Sequence, residues 1–229
     1  MNKTLREILI GVILGDAHIG RTGLNKAFIS FEQSSKKAEY LNHLHDLVKK
    51  EGLPLIKEGI TSYSRNDQRY SVQNNSLYFR TQSLDELKPL ADLFLDETGK
   101  KRIPLNIKEE LTHRGLAYWI MDDGQQVKRG GVTLCTDNYD EDEVDLLQVA
   151  LKENFDLETN IHNKKSKSGS YYKRIYIPKS DLDELKPDIL PYIRDSMLYK
   201  INVESNLKQN TEGFISDQES EMEVDIMDN

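Results

Sequence analysis

The hexapeptide Leu-Asp-Glu-Leu-Lys-Pro occurs at residues 84–89 and again at 182–187. A chain that repeats itself in this way is constrained to build the same supersecondary unit twice. Each copy is followed by an apolar helical pattern, Leu90, Leu93 and Phe94 in one and Ile189, Leu190 and Ile193 in the other, and then by a lysine, Lys101 or Lys200. Upstream, Leu9 to Ala17 and Leu116 to Gly124 are apolar runs that each end in an aspartate and a small residue. Alternating segments at 27–33 and 131–136 read as strands. Amphipathic helices are expected next, at 36–50 with Ala38, Leu41, Leu44 and Val48 on one face and at 141–155 with Val144, Leu147 and Leu151. Further strands are expected near 61–63 and 70–81, then near 159–163 and 171–177. The order is helix, two strands, helix, two strands, helix, twice over. It predicts an α+β protein with halves at 1–100 and 101–202, followed by a tail at 203–229.

The two apolar runs carry the chemistry. They read Leu9-Ile10-Gly11-Val12-Ile13-Leu14-Gly15-Asp16-Ala17 and Leu116-Ala117-Tyr118-Trp119-Ile120-Met121-Asp122-Asp123-Gly124. Helices this apolar must be buried, and Gly11, Gly15 and Ala117 would let two of them approach closely. An ordinary core helix does not explain why both copies end in aspartate, where a carboxylate meets the negative pole of the helix dipole. If the helices pair about a pseudo-twofold axis, Asp16 and Asp123 come together. Two such carboxylates repel, and a hard divalent cation with oxygen ligands resolves the conflict.

Both runs resemble the LAGLIDADG signature, and their recurrence 107 residues apart with the same following elements strengthens the likeness. Lys101-Arg102-Ile103-Pro104 and Met197-Leu198-Tyr199-Lys200 resemble the single-chain, intron-encoded branch of the LAGLIDADG homing endonucleases. The resemblance spans about residues 5 to 201. It implies a duplicated αββαββα fold in which each half forms a four-stranded antiparallel sheet and the two sheets make a saddle over DNA. It implies a staggered double-strand break in a long asymmetric site by hydrolysis dependent on Mg²⁺ or Mn²⁺, and a monomer. Asp16 and Asp123 would hold the metal, and Gly15 and Asp122, at the seventh position of each signature, belong to the same metal set, Asp122 through its backbone carbonyl. Lys101 and Lys200 resemble the family's basic active-site residues. For base and backbone contacts the resemblance favours Arg21, Lys26, Ser30, Gln33, Arg69, Gln73, Arg80 and Gln82 in the first half. In the second it favours Gln125, Gln126, Lys128, Arg129, Thr133, Asn163, Lys164, Lys167 and Lys173. The rival on the same fold is an intron maturase, with intron RNA as partner in place of DNA or in addition to it. An organelle, mitochondrion or chloroplast, is the leading expectation for location, with a prokaryotic or phage origin as the alternative.

Charge first argues against a nucleic-acid partner, because the chain carries −8 at a pI near 5.3. The tail from 203 holds eight acids against Lys208 alone, which leaves the rest of the chain near neutrality. That tail reads as solvated and disordered. The run from His162 to Arg174 holds five basic residues and no acid. Cys135 is the single cysteine, so no internal disulfide can form, and it reads as a small buried hydrophobe. No segment is apolar for long enough to cross a bilayer, and the first residues lack the pattern of a secretory signal. His43 and His45, two apart on a helix, point in different directions and read as packing or surface residues.

Overall fold

In the computed structural model the first half runs α1 (Lys3–Leu14), β1 (His18–Thr22), β2 (Lys26–Ser34), α2 (Ala38–Lys50), β3 (Thr61–Asp67), β4 (Val72–Arg80) and α3 (Lys88–Phe94). A short helix, α4 (Ile107–Glu110), links it to the second half. That half runs α5 (His113–Asp123), β5 (Gly124–Gln126), β6 (Val132–Leu134), α6 (Glu141–Phe155), β7 (Asn160–Lys165), β8 (Tyr171–Ile177) and α7 (Lys179–Ile189). The structure describes residues 1–67, 72–165, 169 and 171–204. Arg69, Lys167 and the acidic segment from 205 lie outside the described residues.

The repeated hexapeptide does not fold identically in its two places. In the first, Asp85–Leu87 form a 3₁₀ turn and Pro89 sits at the start of α3, where its missing N–H costs nothing. In the second the whole hexapeptide is inside α7, with Pro187 close to its end. Both proline positions avoid a helix centre, which is why one sequence serves two local geometries.

The core forms around α1 and α5. Asn2 caps α1 by accepting the Leu5 N–H at 2.8 Å, and Thr112 caps α5 by accepting the Gly115 N–H at 3.2 Å. Every residue from Ile8 to Leu14 and from Gly115 to Asp122 is buried. Burial on all sides suits helices that meet each other on one face and both sheets on the rest. Each fully buried Leu or Ile there contributes about 1.5–3 kcal/mol. The close approach is made by glycine. A Cβ on Gly11 would lie 2.2 Å from the Gly115 carbonyl oxygen and 2.9 Å from the Tyr118 Cβ. Gly115, which precedes the second apolar run, shares with Gly11 the role expected of Ala117.

Each half contributes an antiparallel four-stranded sheet, in the order β1-β2-β4-β3 and β5-β6-β8-β7. Register fixes the faces. His18 pairs with Ser30 and Ser30 with Arg80, so these share one face with Glu32, Tyr78 and Thr61. Ile19, Ile29, Phe31 and Phe79 lie on the other face and enter the core. In the second half Gln125 pairs with Thr133, Thr133 with Tyr176 and Tyr176 with Asn160. Val132, Leu134, Ile175 and Ile177 fill the opposite face. Helix α6 covers that face and starts with a capping box, Asp140 and Glu143 exchanging side-chain bonds with each other's backbone N–H. Glu143 also accepts the Ile103 N–H at 2.8 Å, tying the linker to the second half.

Gly11→Ala is expected to destabilise the protein by about 1–3 kcal/mol, because a methyl group must displace backbone rather than a flexible side chain. Gly59→Ala, where a Cβ meets nothing within 4 Å, is the control and is expected to change stability by less than about 0.5 kcal/mol. Urea unfolding of the two variants checks this; equal midpoints would remove the close helix contact from the account of stability.

Candidate active site

Helices α1 and α5 end side by side, so their last carbonyls and the aspartates that follow share one small volume. Neither helix has a basic residue in its last turn. The positive charge comes from elsewhere in the chain. Lys101 Nζ donates to the carbonyls of Ile13 at 2.7 Å and Gly15 at 3.0 Å. Lys200 Nζ donates to the carbonyls of Met121 and, at 2.8 Å, Asp122. The lysines that follow the two hexapeptides thus perform the same task on the two helices. They neutralise the negative helix poles and stand next to the aspartates. A second pair reaches across between halves: Lys37 donates to the Asp122 carbonyl at 3.3 Å, and the Tyr139 hydroxyl donates to the Leu14 carbonyl at 2.8 Å.

The acidic residues number three rather than two. Asp16 is exposed and lies 3.7 Å from Lys37. Asp123 is half-buried, and Asp122 is 5% exposed. The Asp122 carboxylate occupies the space that Gly15 leaves open, since a Cβ on Gly15 would lie 2.4 Å from the Asp122 Cβ. It accepts the Asp16 N–H at 3.3 Å. Gln33 Nε2 then donates to Asp16 at 2.9 Å and to Asp122 at 2.9 Å, bridging the two carboxylates.

Crowding and burial shift the titration of these groups. Burial, then Asp16 and Asp123, push the Asp122 carboxyl well above the usual range. Burial, then Asp16, push Asp123 up to about 7. Lys200 is brought down to about 8 by burial and then by Lys37. Lys101 is lowered by burial against the pull of the aspartates. The fully buried Tyr40 phenol is raised by burial and by Asp122. A set of oxygen donors that repel one another and resist ionisation suits a hard cation. Among the described residues no group of three or more His, Cys, Asp or Glu is arranged to hold a metal. The aspartates fit a Mg²⁺-type ion that keeps waters and takes further oxygens from its substrate.

The sequence expectations for this site need three corrections. Gln33 is not a base reader; it is 5% exposed and bridges two carboxylates. The carbonyls of Asp122 and Gly15 are engaged by lysines, that of Asp122 by Lys200 and Lys37 and that of Gly15 by Lys101, and it is the Asp122 side chain that faces Asp16. Lys37 and Tyr139 were not anticipated. Their signal was weak, since each lies just past a strand and reaches the other half's helix, a contact that no local pattern encodes.

Strand alternation sorts the expected DNA contacts. Lys26, Ser30 and Arg80 lie on the front of the first sheet, with Arg80 stacked 3.4 Å over the Phe28 ring. Gln125, Thr133 and Lys164 lie on the front of the second, although Thr133 is buried. Lys128 and Arg129 are exposed between β5 and β6. Arg21 belongs to the back face, where it donates to the carbonyls of Ala91, Leu95 and Asp96 and closes the end of α3. Gln73, Gln126, Asn163 and Lys173 alternate to the back as well. Gln126 bonds Asn202 at 3.1 Å, and Lys173 pairs with Glu141 at 3.0 Å. Gln82 donates to the Leu55 carbonyl at 3.2 Å. Front residues outside the expected base and backbone contacts are Glu32, Tyr63, Arg65, Asn74, Ser76 and Tyr78 in the first half and Tyr176 in the second, where His162, Tyr172 and Arg174 of the basic run also face front. Several of them line an open cleft of about 910 Å³ that runs from Asp16 along the first sheet to Arg65 and Asn74. His45 bonds the Glu58 carbonyl at 2.8 Å and His43 bonds the Tyr118 hydroxyl at 2.8 Å, both packing roles. Cys135 is half-buried rather than enclosed.

An aspartate whose folded pKa lies above its ordinary 3.8 contributes stability that is fully present below pH 3.8 and is lost as pH rises toward the folded value of about 7. In metal-free buffer the stability of Asp123→Asn relative to the natural protein is therefore expected to climb from pH 4 to pH 7 and then level off. Denaturant melts across that range check it, and a difference that stays flat would contradict the crowding described.

Comparisons with known proteins place this geometry. The sequence profile of the LAGLIDADG DNA endonuclease family matches residues 6–185. The chain is 27% identical to the DNA endonuclease I-ChuI of Chlamydomonas applanata, over 88% of this chain and 96% of that protein. It is 29% identical to the cytochrome b mRNA maturase bI2 of Debaryomyces hansenii, over 88% of this chain and 74% of that one. The solved structure of the homing endonuclease I-WcaI bound to its DNA recognition sequence superposes with a TM-score of 0.75 at 29% identity, covering 88% of each chain. With two apolar helices whose ends join three aspartates beneath two four-stranded sheets, and with a profile match over most of its length, the chain belongs to the LAGLIDADG DNA endonuclease family.

Proposed function

We propose that the protein is a site-specific homing endonuclease that makes a staggered double-strand break in a long asymmetric DNA site, with Mg²⁺ or Mn²⁺ at the paired aspartates. The observation that carries this reading is the meeting of Asp16, Asp122 and Asp123 at the junction of two sheets whose front faces are polar. A divalent ion there would supply Lewis acidity to the scissile phosphate and lower the pKa of water. The chain's own residues do the positioning. Asp16 and Asp123 would hold the ion, and Gln33, bonded to both carboxylates, keeps Asp16 at a fixed distance from Asp122. Lys101 and Lys200 place cations beside the reacting phosphates, where charge grows in an in-line displacement. The front faces read bases through the major groove, while exposed lysines and arginines at the sheet ends meet phosphates. A single chain with two unlike halves suits an asymmetric site and acts as a monomer.

The likeness to a protein named as an mRNA maturase supports a second partner, intron RNA.

Selection of cleaved duplexes from a randomised DNA library in Mg²⁺ tests the main reading. Asp16→Asn and Asp123→Asn are each expected to slow cleavage by more than about a hundredfold while DNA binding persists. EDTA is expected to abolish cleavage, and Lys101→Met and Lys200→Met to reduce its rate by about a hundredfold. Binding of intron RNA, with no duplex cut under any divalent ion, would replace this reading with the maturase one.

A further inference from the structure

Gln125 lies two residues beyond Asp123, on the front of the second sheet and exposed. Its side-chain oxygen accepts a hydrogen bond from Arg174 Nη1 at 3.1 Å. Arg174 is itself held from behind: its Nε donates to Asp137 Oδ1 at 2.6 Å and its Nη2 to Asp137 Oδ2. The Arg174 side chain is 11% exposed and that of Asp137 31%, so the fork is shielded on the arginine side. A guanidinium carries donors and no acceptor, so the amide oxygen of Gln125, and not its nitrogen, must face it. The bidentate pair fixes the plane of Arg174, and Arg174 fixes the amide of Gln125.

This matters for reading DNA. A free glutamine recognises adenine by offering its oxygen to N6–H and its N–H to N7 at once. With the oxygen drawn toward a cation, Gln125 presents its Nε2–H₂ alone. In the major groove guanine offers O6 and N7 as acceptors and thymine offers O4, whereas adenine sets its N6 donor beside its one acceptor, N7, and would face the amide donor with a second donor, and cytosine offers only the N4 donor.

We propose that Asp137, Arg174 and Gln125 form a relay that makes Gln125 a donor-only reader, selecting guanine or thymine over adenine and rejecting cytosine at one position of one DNA strand under the second sheet. The inference rests on the DNA-cleaving reading above, and it reaches further by assigning a base preference to a residue and the cause of that preference to two others.

The test is a base-preference profile of the full chain, measured both by cleavage in Mg²⁺ and by capture of bound duplexes from the randomised library. It compares the natural protein, Gln125→Lys and Gln125→Glu. Gln125 is exposed, so both variants are expected to fold. Lysine keeps a donor and is expected to keep guanine or thymine at the position. Glutamate accepts from Arg174 on one side and presents an acceptor on the other, so preference there is expected to swing to cytosine or adenine by about tenfold. Arg174→Leu frees the amide and is expected to raise adenine at the same position. A profile that Gln125→Glu leaves unchanged at every position overturns the proposal, as does a swing at a position where the natural protein already takes cytosine. Capture with the stated preference but no cleavage would leave this inference standing and remove the nuclease reading; capture with no base preference would remove this one.

Discussion

Two helices with the same polarity end at one point, and the rest of the molecule is arranged around that fact. Their partial negative poles and three carboxylates all repel, so the junction can exist only with positive charge beside it. Apolar packing supplies the force that drives α1 against α5, and glycine at 11 and 115 sets how near they come. Four side chains then quieten the ends: Lys101 and Lys37, Lys200 and Tyr139. On the function proposed above, this pairing of crowded carboxylates with buried lysines would serve a cation and a phosphate together.

The lysines show how stability and chemistry share residues. Lys200 is buried and donates to two carbonyls, which fixes its ammonium group within reach of the aspartates. Its position depends on helix geometry, not on the substrate, so the group is in place before DNA arrives. Gln33 does the same for the carboxylates. Preorganisation of this kind means that no reorganisation is spent at the moment of reaction.

Much of this was legible in the sequence, for physical reasons. The apolar runs are too hydrophobic to be anything but core, and a repeated aspartate at a helix end has no structural purpose of its own, so the fold and the placing of Asp16, Asp123, Lys101 and Lys200 at the two helix ends could be read from pattern and period. The boundaries of α6 follow from its amphipathic helical period and those of β8 from its position between turn residues. Which strand residues face DNA was less legible, because a shift of one residue reverses the face. Arg21 illustrates the problem: it looks like a free cation on a strand, yet its register turns it to the carbonyls at the end of α3. Contacts between halves, such as Gln33 to Asp122 and Tyr139 to Leu14, were illegible because they join residues 89 and 125 positions apart.

The fit of Asp122 against Gly15 has a consequence for the history of the chain. In a symmetric dimer of one half the seventh position would be the same residue twice. Two glycines there would leave a void, and two aspartates would put Cβ atoms and like charges into the same space. The complementary pair is available only to halves that are free to differ, that is, to halves on one polypeptide. With Asp122 filling the space beside Gly15, neither position can change alone without a collision or a hole, so the pair acts as a ratchet that keeps the two halves unlike.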